Sequence, residues 1–160
     1  MKLLIFSDSH GELLPMRDAI RRERPDAVLH LGDHAGDAFT LSQEFYDLPI
    51  AYVRGNCDRD FPPCAETYER TLEGVRIFAA HGHRFGVKYD RLRFSLAAQE
   101  RGATLALYGH THCPDCTQQE GLWLLNPGAC GGRTPTYGVA LLTNGTLHCA
   151  VKEVYSEEWS

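Results

Sequence analysis

Short apolar segments alternate with helical segments at the start of this chain of 160 residues, and this alternation constrains the fold most. Residues 3–6, 27–31 and 50–53 are apolar runs of the length expected for buried strands. Residues 12–23 and 37–46 between them have helical spacing of apolar side chains, and Asp37 is a plausible N-cap of the second helix. A strand, helix, strand order of this kind favours parallel strands joined by helical crossovers.

The rest of the chain has closely spaced strand patterns, which indicate antiparallel pairing. Residues 66–80 are predicted to form a hairpin that turns at Glu73-Gly74, followed by a helix over 89–101 and a strand over 104–108. Further strands are predicted over 113–118, 122–125, 137–142 and 146–151. So many strands in one chain predict an α/β (α+β) fold with two packed sheets flanked by helices, and we expect residues 1–160 to form a single domain.

Charge and hydropathy exclude some classes of protein. The formal net charge of −5 lacks the basic footprint of a non-specific nucleic-acid binder, so no such binding is expected. No apolar run approaches the roughly 18 residues of a membrane span, and the apolar start is too short for a signal peptide. We therefore expect a cytoplasmic protein without a membrane partner, and the sequence leaves a homo-oligomer open.

The six cysteines invite a disulfide or zinc interpretation. A disulfide framework is unexpected in a reducing cytoplasm. Cys113 and Cys116 form one C-x-x-C motif, but a zinc site needs a second pair at suitable spacing, and a redox motif normally opens a helix. We expect reduced, partly buried cysteines and no role for this pair in the chemistry.

Five predicted strands are each followed by side chains that can bind a metal ion. These side chains are Asp8 with His10, Asp33, Asn56, His81 with His83, and His110 with His112. Ligands of open α/β sheets bind beyond the carboxyl ends of the strands, and residues i and i+2 of an extended segment point to one side. Any one cluster has an ordinary alternative, such as a helix cap or a turn, but five clusters at one edge favour a single metal site. Carboxylate and imidazole ligands suit Mn, Fe, Zn or Co better than Ca.

The order of these motifs resembles the calcineurin-like metallophosphoesterases, specifically their small single-domain bacterial and archaeal phosphodiesterases. The matching motifs are Asp8-Ser9-His10, Gly32-Asp33, Gly55-Asn56-Cys57-Asp58, His81-Gly82-His83, Gly109-His110-Thr111-His112 and Asn126-Pro127-Gly128. The resemblance covers residues 1 to about 130 and implies a four-layer αββα sandwich of two mixed sheets. It also implies a phosphodiesterase that attacks a small phosphate ester with a hydroxide bridging two divalent metal ions.

The resemblance implies a role for each motif residue. Asp8, His10 and His112 would bind one ion, whereas Asn56, His81 and His110 would bind the other, and Asp33 would bridge both. We expect Mn first, with Fe, Zn, Ni or Co as alternatives. His83 would lie just outside the ligand set, whereas His30 and His148 are expected to be structural.

The catalytic assignment includes Asp33, Asn56, His10 and Asp58, of which His10 or Asp58 would assist the leaving group. Larger relatives have a histidine directly after the asparagine, but Cys57 stands there, as in the small-phosphodiesterase branch. Since a neutral thiol is a poor general acid, we expect a preference for esters with good leaving groups.

The sequence leaves two questions open. A retromer subunit of the same small fold is a protein-interaction scaffold, so the alternative function is a metal-binding scaffold without catalysis. The physiological substrate is also undetermined, although Arg54, Arg84 and Arg133 are candidates for a second phosphate contact.

Overall fold

A computed structural model of the chain describes residues 1–156, which form three helices and ten strands. The helices are α1 (Leu13–Glu23), α2 (Ala35–Glu44) and α3 (Leu92–Glu100). The strands are β1 (Lys2–Phe6), β2 (Ala27–His30), β3 (Ile50–Tyr52), β4 (Thr67–Leu72), β5 (Val75–Ala80), β6 (Leu105–Leu107), β7 (Asp115–Gln119), β8 (Leu122–Asn126), β9 (Thr136–Thr143) and β10 (Thr146–Glu153). The longest of these helices has 11 residues, so none of them is long enough to cross a membrane.

The strands form two mixed sheets of five strands each. The first sheet has the order β10-β9-β1-β2-β3, in which β1, β2 and β3 are parallel, as the opening alternation predicts. The second has the order β4-β5-β6-β8-β7, in which β5, β6 and β8 are parallel. In both sheets antiparallel strands lie at one or both edges. Each sheet therefore has a set of parallel strands whose carboxyl ends meet at one edge.

Alternate residues of each strand face different layers. In β1, Leu3 and Ile5 belong to the apolar cluster between the two sheets, whereas Leu4 and Phe6 belong to the cluster beneath α1 and α2. On the outer face of the second sheet, Phe94 of α3 belongs to a third cluster. The layers run helix, sheet, sheet, helix, which confirms the predicted αββα sandwich.

The helix boundaries differ from the predicted ones at two places. Helix α2 begins at Ala35, so Asp37 lies inside its first turn and the prediction that Asp37 is its N-cap was wrong. Helix α3 begins at Leu92 rather than 89, because the chain turns before it and the Asp90 carboxylate accepts the amide of Leu92 at 2.9 Å. The predicted hairpin turn at Glu73-Gly74 is confirmed.

All six cysteines are free thiols. Cys116 lies in β7 and Cys113 lies in the loop before it, and the β7–β8 hairpin follows where a redox motif would open a helix. The C-x-x-C motif therefore has neither the partner cysteines nor the local structure that a zinc or redox site would need.

Glu23 fastens the end of α1 to the first sheet. Its carboxylate accepts hydrogen bonds from the Lys2 ammonium of β1 at 3.1 Å, the Tyr137 hydroxyl of β9 at 2.8 Å and the Lys152 ammonium of β10 at 2.7 Å. Burial would raise the pKa of Glu23, but the hydrogen bonds from Lys152, Tyr137 and Lys2 outweigh it and lower the pKa to about 2. The ionised carboxylate thus joins one helix to three strands.

This arrangement predicts a pH-dependent loss of stability in Glu23→Gln. The folded pKa of Glu23 lies below the usual value of 4.5, so its stabilisation is present above pH 4.5 and is lost as the pH falls toward 2. At pH 7 the variant should lose roughly 1–3 kcal/mol of unfolding free energy. Urea unfolding at pH 7, 5 and 3.5 measures the difference, which should shrink at the lowest pH. A difference that does not change with pH would contradict the role of the ionised carboxylate.

Candidate metal centre

The carboxyl ends of the parallel strands bring all seven predicted metal ligands to one edge of the sandwich. The first sheet supplies Asp8, His10, Asp33 and Asn56 from the segments after β1, β2 and β3, and the second supplies His81, His110 and His112 from those after β5 and β6. Two groups could each hold a metal ion, with ligand atoms within 4.8 Å of one another. One comprises Asp8, His10 and His112, and the other comprises Asp33, His81 and His110.

His81 is the centre of the second group. Its Nδ1 donates a hydrogen bond to the Leu31 carbonyl at 2.8 Å, which leaves Nε2 directed into the site. That Nε2 lies 3.0 Å from Oδ1 of Asn56, 3.2 Å from Nδ1 of His110 and 3.5 Å from Oδ1 of Asp33. When the His81 ring is neutral, its Nε2 lone pair faces the two oxygens with no hydrogen between them, whereas a proton on Nε2 would form a hydrogen bond to Asp33. A cation among them would relieve this repulsion.

Asp8 presents a second unpartnered acceptor. Its Oδ2 accepts hydrogen bonds from the Ser7 hydroxyl at 2.6 Å and the His110 amide at 3.2 Å. Its Oδ1 is buried without a hydrogen-bond partner, 3.2 Å from Nε2 of His112 and 3.9 Å from Nε2 of His81. A buried carboxylate oxygen without a donor is costly unless a cation satisfies it, so this site fits a metal ion.

Burial and neighbouring charges shift the pKa values of the three side chains in the second group. Burial would raise the pKa of Asp33, but hydrogen bonds from His81 and the Cys57 amide hold it well below the usual range. Burial would lower the pKa of His81, yet the hydrogen bond to Asp33 and the charge of Asp8 raise it. Burial lowers the pKa of His110 to about 4. Asp33 is therefore ionised and His110 neutral at pH 7, whereas a proton and a metal ion compete for His81.

Backbone strain is concentrated in the ligand segments. Ten non-glycine residues among residues 1–156 have positive φ, and five of them are predicted ligands, namely Asp8, His10, Asp33, His110 and His112. Such conformations cost on the order of 1 kcal/mol or more each and persist where the surrounding structure enforces them. Half of this strain thus lies in the segments that converge on the centre.

Two glycines allow the ligand segments to pack against one another. A Cβ atom at Gly55 would collide with the side chain of Asp33, and one at Gly109 would collide with the hydroxyl of Ser7. Only glycine permits this close approach, which keeps the ends of neighbouring strands within reach of one centre.

A buried hydrogen-bond chain holds the Asp8–His10 segment against α2. The Ser9 hydroxyl donates to Oδ2 of Asp37 at 2.7 Å, so it accepts from Nε2 of His30 at 2.9 Å. Nδ1 of His30 accepts the amide of Gly32 at 3.1 Å, and Oδ2 of Asp37 also accepts the amide of Gly11 at 2.8 Å. Burial lowers the pKa of His30 to about 4, consistent with the neutral ring that this chain requires. The expectation that His30 is structural is confirmed, and Asp37 has a role that the sequence did not reveal.

The Asp58 carboxylate accepts hydrogen bonds from backbone amides. Its two carboxylate oxygens accept four amide hydrogen bonds, from Asp33 at 3.0 Å, His34 at 2.8 Å, Ala35 at 2.8 Å and Gly55 at 2.7 Å. This carboxylate is buried, satisfies the start of α2 and joins the Asp33 segment to the Asn56 segment. We therefore reassign Asp58 from assisting the leaving group to positioning Asp33.

The side chains predicted at the margin of the site differ in their surroundings. The His83 ring lies 5.4 Å from that of His81, outside both ligand groups, as predicted. His148 is exposed on β10 and gives no support for a structural role. Arg54 donates to the backbone carbonyls of Asp58 and Arg59, and Arg84 pairs with Glu66 at the surface.

Comparisons with known proteins agree with this geometry. A sequence model of the calcineurin-like phosphoesterase superfamily domain matches residues 1–146. The probable metallophosphoesterase YsnB of Bacillus subtilis is 31% identical over 150 residues, which cover 90% of this chain and 86% of YsnB. The phosphodiesterase YfcE of Escherichia coli is 30% identical over 174 aligned positions, which cover 92% of this chain and 90% of YfcE.

Solved structures show the same fold. A predicted phosphoesterase from Streptococcus pneumoniae has a TM-score of 0.78 at 25% identity and covers 96% of this chain and 89% of its own. Vps29 of Entamoeba histolytica, in a complex with Zn²⁺, has a TM-score of 0.77 at 18% identity and covers 97% of this chain and 100% of its own. The Vps29 likeness concerns the fold alone.

The hydrogen-bond chain predicts that Asp37→Ala weakens metal binding although Asp37 is not a ligand. Without its carboxylate the Ser9 hydroxyl and the Gly11 amide lose their acceptor, so the Asp8–His10 segment becomes mobile. Mn²⁺ affinity measured by calorimetry should fall roughly tenfold or more, and Asp37→Asn, which keeps an acceptor oxygen, should recover part of it. Exposed Asp47→Ala is the matched control. Unchanged affinity in Asp37→Ala would contradict the positioning role.

Proposed function

The chain belongs to the calcineurin-like phosphoesterase superfamily, and from this membership we propose that it is a phosphodiesterase that depends on two divalent metal ions. The observation that carries the proposal is Oδ1 of Asp8, which is buried without a hydrogen-bond partner and lies 3.9 Å from Nε2 of His81. Each lies in a separate ligand group, so the two groups meet. Neighbouring ion sites are the arrangement that two-metal phosphoester hydrolysis uses.

The ligands divide between the two ions. We assign Asp8, His10 and His112 to one ion, and His81, His110 and Asn56 to the other. Asp33 would be shared between the two ions, as the family resemblance implies; it belongs to the second group, and its carboxylate accepts the amide of Cys57. The mixed oxygen and nitrogen set suits Mn²⁺ first and leaves Fe, Zn, Ni and Co as alternatives.

The proposed substrate is a small phosphodiester. When bound, two divalent ions would supply Lewis-acid charge to the phosphoryl oxygens and lower the pKa of an attacking water. Only two carboxylates, Asp8 and Asp33, offset the charge of the ions, so the centre stays positive and attracts an anionic ester despite the acidic chain. His10 and His112 are exposed, whereas Asp33 and His81 are buried. Substrate would therefore approach over the two exposed imidazoles.

The leaving group receives little acid assistance from the segment after Asn56. Cys57 is exposed as a residue, and partial desolvation of its thiol together with the charge of Asp33 raises the pKa of the thiol. Asp58 beside it is fully engaged with backbone amides. Of the residues considered for this role, His10 alone reaches the open side of the site.

Metal dependence is tested with bis(p-nitrophenyl) phosphate. Asp8→Ala and Asp33→Ala should each lower turnover by about a thousandfold or more, because each removes a charged ligand while the apolar layers remain. Chelation of the wild-type protein should abolish turnover and Mn²⁺ should restore it, with circular dichroism unchanged throughout. Full activity in Asp33→Ala would contradict the proposal. Wild-type protein that binds Mn²⁺ yet hydrolyses nothing would favour the alternative, a metal-binding interaction scaffold.

Dependence on the leaving group is a further consequence. Two phosphodiesters that differ only in the pKa of the departing alcohol, one aryl and one alkyl, should differ in kcat/KM by several orders of magnitude. The segment after Asn56 supplies no acid to protonate the alkoxide, and His10, the remaining residue assigned this role, would also be bound to a metal ion. Cys57→Ala should stay within about threefold of wild type, since the amide that holds Asp33 remains. Equal rates on the two esters, or a large loss in Cys57→Ala, would refute this account.

A further inference from the structure

A groove lies beside the metal ligands. It has a volume of about 1040 Å³, and ligand pockets typically have 300–1,000 Å³. One wall is the segment from Val87 to Gln99 near the end of α3, and the other is the loop between β6 and β7 with both ends of β7 and Glu120, which follows β7. The groove is thus large enough for the organic part of a phosphodiester.

The groove and the metal centre share one loop. Thr111 and Cys113 line the groove, and they flank His112 in the chain, with His110 just before them. The Thr111 hydroxyl oxygen accepts hydrogen bonds from the side-chain amide of buried Asn126 at 2.9 Å and from the Cys113 amide at 3.1 Å. The wall is therefore fixed relative to the ligands, and a substrate held at the metal centre can extend into the groove.

The charge of the groove is opposite to that of the occupied metal centre. Arg91 is the one basic residue among the described lining residues, and it pairs with Asp115. Asp90 and Glu120 are exposed carboxylates without such a partner, although Asp90 also accepts the Leu92 amide. The groove thus has a net negative charge beside a site that binds an anion.

Apolar surface accompanies these carboxylates. The Tyr89 side chain is 93% exposed, and Leu92 and Leu96, which also line the groove, are 63% and 48% exposed. An exposed aromatic ring and carboxylates that line the same groove can together attract an ammonium group, through cation–π and ionic contacts. The same carboxylates would repel an additional phosphate.

We propose that this acidic groove, lined by Tyr89, Asp90 and Glu120, holds the organic substituent of the phosphodiester and selects one that carries an ammonium group over one that carries another phosphate. The inference rests on the proposed phosphodiesterase function and names its substrate class. The preferred substrate is a phosphodiester of an amino alcohol, with its phosphate at the metal centre and its cation in the groove. Oligonucleotide ends are disfavoured because their further phosphates would lie against carboxylates.

Three esters that release p-nitrophenolate test this selectivity, because they differ only in the remaining substituent. They are p-nitrophenyl phosphorylcholine, thymidine 5′-(p-nitrophenyl phosphate) and the same thymidine ester with a 3′-phosphate. We expect kcat/KM with Mn²⁺ to be highest for the choline ester and lowest for the 3′-phosphorylated ester, with roughly a tenfold or greater difference between these two at low salt. A 3′-phosphorylated ester cleaved as fast as the other two would overturn the proposal.

Removing the charges of the two groove carboxylates tests whether charge, rather than the shape of the groove, determines the substrate preference. The double variant Asp90→Asn/Glu120→Gln keeps the acceptor for the Leu92 amide. It should lower the ratio of kcat/KM for the choline ester to kcat/KM for the 3′-phosphorylated ester roughly fivefold. The matched control is Asp47→Asn/Glu73→Gln, which removes two exposed carboxylates remote from the groove, one of them at the β4–β5 turn. The control should keep the wild-type preference. An unchanged preference in the groove variant would also refute the proposal.

The failure of this inference can be told apart from that of the proposed function. If the wild-type protein hydrolyses none of the three esters nor bis(p-nitrophenyl) phosphate, the phosphodiesterase proposal itself fails. If it hydrolyses them without regard to substituent charge, only the groove assignment fails. A titration with choline, followed by amide NMR, gives a readout that is independent of turnover. We expect chemical-shift changes at the amides of Tyr89 and Glu120. Their absence would count against the groove as a cation site.

Discussion

A buried carboxylate oxygen without a donor, beside an imidazole nitrogen that faces further oxygens, is the constraint on which the site depends. Oδ1 of Asp8 has no partner, and when the His81 ring is neutral its Nε2 faces Oδ1 of Asn56 and Oδ1 of Asp33 with no hydrogen between them. Such an arrangement of buried polar atoms costs free energy in the protein without bound ions. The arrangement becomes favourable when cations lie among these atoms, so the ligand edge is built for metal ions at the expense of stability without them.

The rest of the structure holds this unfavourable cluster in place. Apolar layers between and outside the sheets fix the strands, and the parallel strands deliver the ligands to one edge. Asp58 then fastens the Asp33 segment through backbone amides, while Asp37 and His30 fasten the Asp8 segment through the Ser9 hydroxyl. Ligands in left-handed backbone conformations are retained because these contacts leave the chain no relaxed alternative.

Sequence reasoning could place the candidate ligands at one sheet edge because their positions follow from strand ends. An apolar run that stops at Asp8 or His81 places that side chain at the sheet edge, and the i, i+2 relation links His110 to His112. The roles of Asp58 and Asp37 could not be found in this way. Apart from Gly55, the backbone and hydroxyl groups that bind them lie more than twenty residues away in the chain, and the start of α2 depends on Asp58, which belongs to a different loop. The same limit applies to the groove, whose walls come from separate parts of the chain.

The account's central claim concerns where cations bind, and anomalous X-ray diffraction from crystals grown with Mn²⁺ tests it most directly. It predicts two anomalous peaks, one among Asp8, His10 and His112 and the other among Asn56, His81 and His110, with Asp33 between them. Fully loaded crystals with no peak at this edge, or with peaks at other residues only, would contradict it.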